Sequence, residues 1–323
     1  MQALQLIAPQ SFEYVELPDP VPAPGEVVVR IEQLAVCGSD LRFYDRILER
    51  YPHPAGHPCH ECVGTVETST VPEFRPGERV LALTDTGGLV EKLAVTPDLL
   101  VRLPDPGSVP DSTPDLWVLC QPMGTVIYAM QRLGSVLGKT VAVIGSGPIG
   151  LCFTDLLVRH GAAQVIVTDL HDYRLAAARA LGATHTINAA REDAVARIGE
   201  ITGGRMVDVS IEAVGLPEAF TDCFAAVRKL GTVVIFGVPH LEGSWTFDWQ
   251  AAYDKVPTVV VANSVISGAR SQAVATCVDL VAQGRLDLSY LVTHRFGWDE
   301  VPLAFSTYSA GKSAALKGIV TVG

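Results

Sequence analysis

The stretch Thr140-Val141-Ala142-Val143-Ile144-Gly145-Ser146-Gly147-Pro148-Ile149-Gly150 decides the fold. Its first five residues make an apolar, β-branched run of the length of a buried strand. Three glycines at G-x-G-x-x-G spacing follow, and residues 148–160 read as a helix. Gly145 permits a tight turn, Gly147 lets a pyrophosphate approach the backbone, and Gly150 lets helix and strand pack closely. The helix N-terminus, with Pro148 and Ile149 in its first turn, offers N–H groups and a positive dipole end to phosphates. A second apolar strand over 164–168 ends at Asp169, 19 residues beyond Gly150. A carboxylate there accepts hydrogen bonds from adenosine ribose hydroxyls and repels a 2′-phosphate, so NAD is the cofactor expected. Arg174, five residues on, can face such a phosphate and keeps NADP as the alternative.

Outward from this unit the same rhythm continues. Strands are predicted over 208–212, 232–236 and 258–262, and helices over 173–181 and 218–230. Nearly all-apolar strands alternating with helices mean a parallel sheet covered on both faces, an α/β fold. Residues 1–100 differ. Short strands at 27–31 and 79–83 lie between Pro/Gly punctuation, and Pro18, Pro20, Pro22 and Pro24 lead into Gly25. Prolines at 104, 106, 110 and 114 suggest a boundary, followed by a mainly helical apolar segment over 117–137.

A second chemical feature lies in the β-rich part. Cys37-Gly38-Ser39-Asp40 is followed, 23 residues after the cysteine, by His60-Glu61 within His57-Pro58-Cys59-His60-Glu61-Cys62. Thiolate, imidazole and carboxylate are ligands that a tetrahedral Zn²⁺ accepts, and Asp40 can hold the free nitrogen of a ligating histidine. Cys59 and Cys62 also make a C-x-x-C, half of a structural zinc knuckle or a redox pair, but no second C-x-x-C completes a four-cysteine site. From these residues alone a catalytic metal and a merely Cys/His-rich loop both stand.

Composition narrows the partners. The 323 residues are 48% hydrophobic and 18% charged, with 24 Lys plus Arg against 35 Asp plus Glu, a net charge of −11. That excludes a disordered chain and disfavours nucleic acid and anionic membranes as partners. An N-terminus without a basic region and seven scattered cysteines lead us to expect a cytoplasmic protein with reduced thiols.

Together these motifs resemble the zinc-containing branch of the medium-chain dehydrogenase/reductase superfamily, the alcohol and polyol dehydrogenases. The resemblance runs through Pro24-Gly25-Glu26, Cys37-Gly38-Ser39-Asp40, His60-Glu61 with Gly64 and Val66, Pro76-Gly77-Glu78-Arg79-Val80, the glycine turn, Asp169, Arg174-Leu175, Gly182-Ala183, Glu212-Ala213-Val214-Gly215 and Thr293-His294-Arg295-Phe296. It implies a Rossmann doubly wound parallel sheet (121–263) inserted into a β-rich GroES-like catalytic domain (1–120 and 264–323). It makes Cys37 and His60 zinc ligands, Glu61 a carboxylate able to bind the metal, and Ser39 the hydroxyl that starts a proton relay. Asp40 becomes the partner of the ligating histidine, and Lys317 a contact to the cofactor pyrophosphate.

Three positions depart from the pattern. The third ligand, usually Cys or Glu, falls on Gln121, with Cys120 as the alternative one residue earlier. Relay enzymes of the family often carry His five residues after the first cysteine, where this chain has Arg42. The four-cysteine lobe is absent, so one catalytic zinc and no structural zinc are expected. The activity implied is hydride transfer between NAD(H) and a secondary or polyol-type alcohol and its carbonyl form, in a homodimer or homotetramer. The alternatives are a zinc-independent enone or quinone reductase using NAD(P)H, and a non-enzymatic NAD-binding protein.

Overall fold

The computed structural model describes residues 1–46, 50–105, 115–240, 243–265, 267–309 and 314–323. The chain forms two compact units, Met1–Gly124 with Gly268–Gly323, and Thr125–Ser267. These divisions lie four residues from the expected ones at 120 and 264. Most of the Pro-bearing stretch read as a boundary, residues 106–114, lies outside the described residues.

In the first unit, β1 (Gln2–Ala8) and β2 (Ser11–Glu16) form a hairpin. Then come β3 (Val27–Ala35), helix α1 (Gly38–Tyr44), β4 (Glu61–Ser69), β5 (Arg79–Ala82), β6 (Lys92–Val95), β7 (Leu100–Arg102) and helix α2 (Asp115–Val118). Helix α3 (Cys120–Leu133) contains the division between the units.

The second unit alternates strand and helix as expected: β8 (Thr140–Ile144), α4 (Pro148–Arg159), β9 (Gln164–Asp169), α5 (Asp172–Ala180), β10 (His185–Asn188), α6 (Ala194–Ile201), β11 (Val207–Glu212), α7 (Pro217–Ala226), β12 (Val227–Ile235), α8 (Trp249–Lys255) and β13 (Thr258–Val261). The chain then returns to the first unit with α9 (Arg270–Ala282), β14 (Val292–Gly297), α10 (Val301–Ser309) and β15 (Lys317–Thr321).

The six strands of the second unit run parallel in the order β10-β9-β8-β11-β12-β13. Progress across the sheet reverses at β8, so the loop after β8 sits at the topological switch point, where α/β sheets bind ligands. Every residue of β8 is buried, which is why this strand reads so clearly in the sequence. The Rossmann order and a separate, mostly antiparallel GroES-like sheet agree with the expected fold class. That second sheet has the order β14-β15-β3-β4-β5-β7, with β6 also on β3. Since β15 lies between β14 and β3, the C-terminal segment completes the first unit's sheet.

The structure differs from the sequence reading in two regions. The helix expected over 218–230 stops at Ala226, and β12 begins at Val227, opposite Val207. Leu230 has a φ of +57°, which no helix tolerates, and Val227 gains a sheet partner instead. Strand β10 and helix α6 were not anticipated. Ile187 alone of the four β10 residues is fully buried, too short a signal to read as a strand.

Gly145 has a φ of +95°, and a Cβ on Gly150 would lie 1.9 Å from the Gly145 carbonyl oxygen. Gly→Ala in a helix ordinarily gains about 1 kcal/mol. Gly150→Ala is expected to lose about 1–3 kcal/mol instead, because the added methyl overlaps backbone. Urea denaturation followed by circular dichroism measures the sign; a gain in stability would contradict this packing.

Candidate functional site

Strand pairing assembles the Cys/His cluster. Ala35, the last residue of β3, faces Glu61, the first of β4. Cys37 therefore leaves one strand beside the point where His60 and Glu61 enter the other. The Cys37 thiol, a His60 ring nitrogen and a Glu61 carboxylate oxygen all lie within 4.8 Å of one another.

Cys37 is also the N-cap of α1, and Asp40 is its third residue. Asp40 Oδ2 accepts the Cys37 backbone N–H at 2.9 Å, while Oδ1 lies 2.9 Å from His60 Nδ1. One buried carboxylate thus caps the helix and orients the imidazole, leaving the opposite ring nitrogen toward Cys37. Burial disfavours a charged imidazole. Asp40 and then Cys37 outweigh it and hold the His60 pKa well above its ordinary value. The Ser39 hydroxyl next to Cys37 is half-buried and makes no hydrogen bond among the described residues.

Lys317 closes this site from the third strand. It begins β15, which pairs with β3 so that Ile319 also faces Ala35. Its ammonium donates to both Glu61 oxygens, at 2.6 and 2.7 Å, and to the Val36 carbonyl at 3.2 Å. Lys317 is 1% exposed and Glu61 is fully buried. Burial works against the ammonium form, but Glu61, Cys37 and Tyr308 prevail and raise the Lys317 pKa well above the lysine range.

The nucleotide motif is equally well formed. Gly147 is the N-cap of α4, Pro148 opens the helix, and a Cβ on Gly147 would meet nothing within 4 Å. That open face lets a ligand approach the backbone. Asp169, at the end of β9, accepts from Ser146 N at 2.8 Å and His171 N at 2.9 Å. Arg174 Nη1 stands 3.5 Å from Asp169 Oδ2.

The alcohol dehydrogenase GroES-like domain family matches residues 23–105, and the zinc-binding dehydrogenase family matches residues 148–283. The L-threonine 3-dehydrogenase of Anaeromyxobacter dehalogenans is 30% identical over 333 aligned positions, covering 91% of each chain. The chain belongs to the medium-chain dehydrogenase/reductase superfamily. The sorbitol dehydrogenase of Bacillus subtilis is 28% identical, covering 99% of this chain and 97% of its own. Among solved structures, the alcohol dehydrogenase TADH from Thermus sp. ATN1 superposes with a TM-score of 0.86 at 25% identity, covering all of both chains.

Within this medium-chain dehydrogenase the sequence-derived site residues divide into two groups. Cys37, Asp40, His60 and Glu61 come together, with Ser39 beside Cys37. Gly145, Gly147, Pro148, Ile149, Gly150, Asp169 and Arg174 form the glycine turn and its acidic neighbour. Cys120, the alternative third ligand, stands apart from the cluster. At the start of α3 its thiol points to the Leu116 carbonyl at 3.8 Å and meets the thiol of Cys277 on α9. Gln121 is buried beside it. Lys317, expected at the pyrophosphate, is committed to Glu61. No local sequence signal ties residue 317 to residue 61; the pairing of β15 with β3 does so.

Replacing Lys317 with Met leaves the Glu61 carboxylate buried without its cation. The expected cost is about 3–5 kcal/mol, the range for breaking a buried pair from one side. Adding Glu61→Gln is expected to recover more than half of it. Chemical denaturation of wild type, K317M and K317M/E61Q measures both effects, and an unchanged K317M midpoint would contradict the buried pair.

Proposed function

We propose that this chain is an NAD-dependent dehydrogenase that interconverts a secondary or polyol-type alcohol and its carbonyl form. The observation that carries this reading is the Cys37–His60–Glu61 cluster with Asp40 behind the histidine. A thiolate, an imidazole and a carboxylate suit a zinc ion, and an Nδ1–H donated to Asp40 leaves Nε2 as the ligating atom. Cys37 and His60 would hold the metal, with Glu61 as a further carboxylate donor when it is released from Lys317. Zinc, when bound, supplies a Lewis acid that lowers the pKa of an alcohol hydroxyl, and NAD is the hydride acceptor.

The remaining work falls to the chain. Ser39, next to Cys37 and without a hydrogen bond among the described residues, relays the hydroxyl proton: it accepts that proton only as it passes its own on to water. Asp40 prevents the His60 ring from turning. Lys317 compensates Glu61, so the site does not accumulate uncompensated negative charge. Gly145, Gly147 and the first turn of α4, with Pro148 and Ile149, receive the pyrophosphate, and Asp169 receives the ribose hydroxyls. Arg174 lies close enough to Asp169 to make NADP the competing cofactor. The zinc-independent reductase reading draws support from one observation: Lys317 occupies both Glu61 oxygens.

Metal analysis with an activity screen separates these readings. The purified enzyme is expected to hold about one zinc per chain. It should oxidise members of a panel of sugar alcohols, cyclitols, amino alcohols and aliphatic secondary alcohols, with higher kcat/KM for NAD than for NADP. Full activity without zinc would remove the metal from the reaction, and equal or better use of NADP would overturn the cofactor assignment.

We also read the protein as a cytoplasmic homo-oligomer, a dimer or tetramer. All seven cysteines are free thiols. Strand β13 ends its sheet with one edge unpaired among the described residues, and Val259 and Val261 are 48% and 59% exposed. An apolar free edge of this kind invites pairing with a second copy. Val259→Lys with Val261→Lys is expected to lower the mass in light scattering to that of the 34.4 kDa monomer. An unchanged mass would move the interface elsewhere.

A further inference from the structure

Helix α1 carries a charged side chain that the chemistry above does not use. Arg42 lies two residues beyond Asp40, its guanidinium over the Phe43 ring with Cζ 4.4 Å from the centroid. It forms no ion pair among the described residues, and its Nε is buried without an acceptor. His57 packs against the same Phe43 ring, centroids 4.4 Å apart, and stacks on His53 at 4.6 Å. Its Nδ1 is 2.5 Å from the Thr86 hydroxyl, and its Nε2 is buried with no partner.

The charges around these groups are one-sided. Burial, and then His53 and Arg42, push the His57 pKa down to about 4 against the pull of Asp40. Asp40 has no oxygen free of other partners, since one holds Cys37 N and the other His60. A neutral imidazole that accepts the Thr86 proton at Nδ1 carries its own at Nε2. Two N–H donors, Arg42 Nε and His57 Nε2, are then buried without acceptors. Unpaired buried donors are costly, and a native structure that keeps them calls for an explanation such as a bound ion or ligand.

An oxyanion answers both needs, because it offers acceptors only and brings the missing negative charge. Arg42 stands about 7.5 Å along the helix from Cys37 at 1.5 Å per residue. His57 is three residues from His60, at most about 11 Å along the chain, so a short substrate held at Arg42 and His57 reaches the cluster. We propose that Arg42, with His57 beside it, forms an anion-recognition site, and that the physiological alcohol carries a carboxylate or phosphate group. This rests on the alcohol dehydrogenase reading and narrows its substrate class.

The test compares matched substrates that differ only in the anion: a three-carbon polyol against its phosphate ester, and a four-carbon secondary alcohol against the corresponding hydroxy acid. Wild type is expected to prefer the anionic member of one pair by about tenfold or more in kcat/KM, and the pair that shows it distinguishes phosphate from carboxylate. Arg42→Gln should reduce that preference about tenfold, mainly through KM, and Arg42→Lys should retain part of it. Equal use of neutral and anionic members, with the ratio unmoved in R42Q, overturns the proposal.

Calorimetric titration of the NAD-saturated holoenzyme with inorganic phosphate and with acetate supplies a readout without turnover. Binding to wild type and its loss in R42Q support the anion site; no binding of either to wild type, or equal binding to R42Q, overturns it. If no alcohol is oxidised at all, the dehydrogenase reading fails, while the titration still decides the anion site.

Discussion

The Cys37–His60–Glu61 cluster depends on one register: Ala35 of β3 faces Glu61 of β4 on one side and Ile319 of β15 on the other. This pairing brings the chain at Cys37, the start of β4 and the start of β15 to the same end of the sheet. The titratable groups it gathers are Cys37, Asp40, His60, Glu61 and Lys317. Isolated, each charged form would be expensive to bury; together they satisfy one another through short hydrogen bonds. A slip of one residue in β4 would point Glu61 to the opposite face of the sheet and dissolve the site.

The nucleotide site is built on the opposite principle. Its turn is a contiguous run between β8 and α4, and its shape comes from local properties: a left-handed Gly145, an open Gly147, and a Gly150 whose missing side chain lets the helix meet the turn. Only Asp169 comes from elsewhere, and even that residue merely ends the neighbouring strand. The Glu61 carboxylate and the Lys317 ammonium, by contrast, are 256 residues apart in sequence. Relatives named for threonine, sorbitol and alcohol share the framework. Substrate preference lies in side chains placed on such a framework, and Arg42 is the one proposed above for this chain.

Legibility in the sequence followed the same division. The βα rhythm, the glycine turn and the Cys37 and His60-Glu61 elements could be read because each is local, with its meaning set by spacing along the chain. The end of α7 could not, because residues 227–230 suit a helix by period and become strand only through pairing of Val227 with Val207. Cys120 and Gln121 were ambiguous for a similar reason. Which way a helix turns its first residues depends on its neighbours, and here Cys277 on α9 occupies the thiol's side.

The sequence by itself determined the two-part architecture, the family and the chemical character of the site, since strand hydrophobicity, glycine spacing and the thiol–imidazole–carboxylate set are properties of residues in order. The tertiary structure alone decided that Lys317 neutralises Glu61, that the Cys120 thiol meets Leu116 and Cys277, and that Arg42 has no ion-pair partner among the described residues. Such outcomes are settled by which groups share a buried space. In a low-dielectric interior a charge is stabilised by whatever stands within a few ångströms, however far apart the two residues lie along the chain.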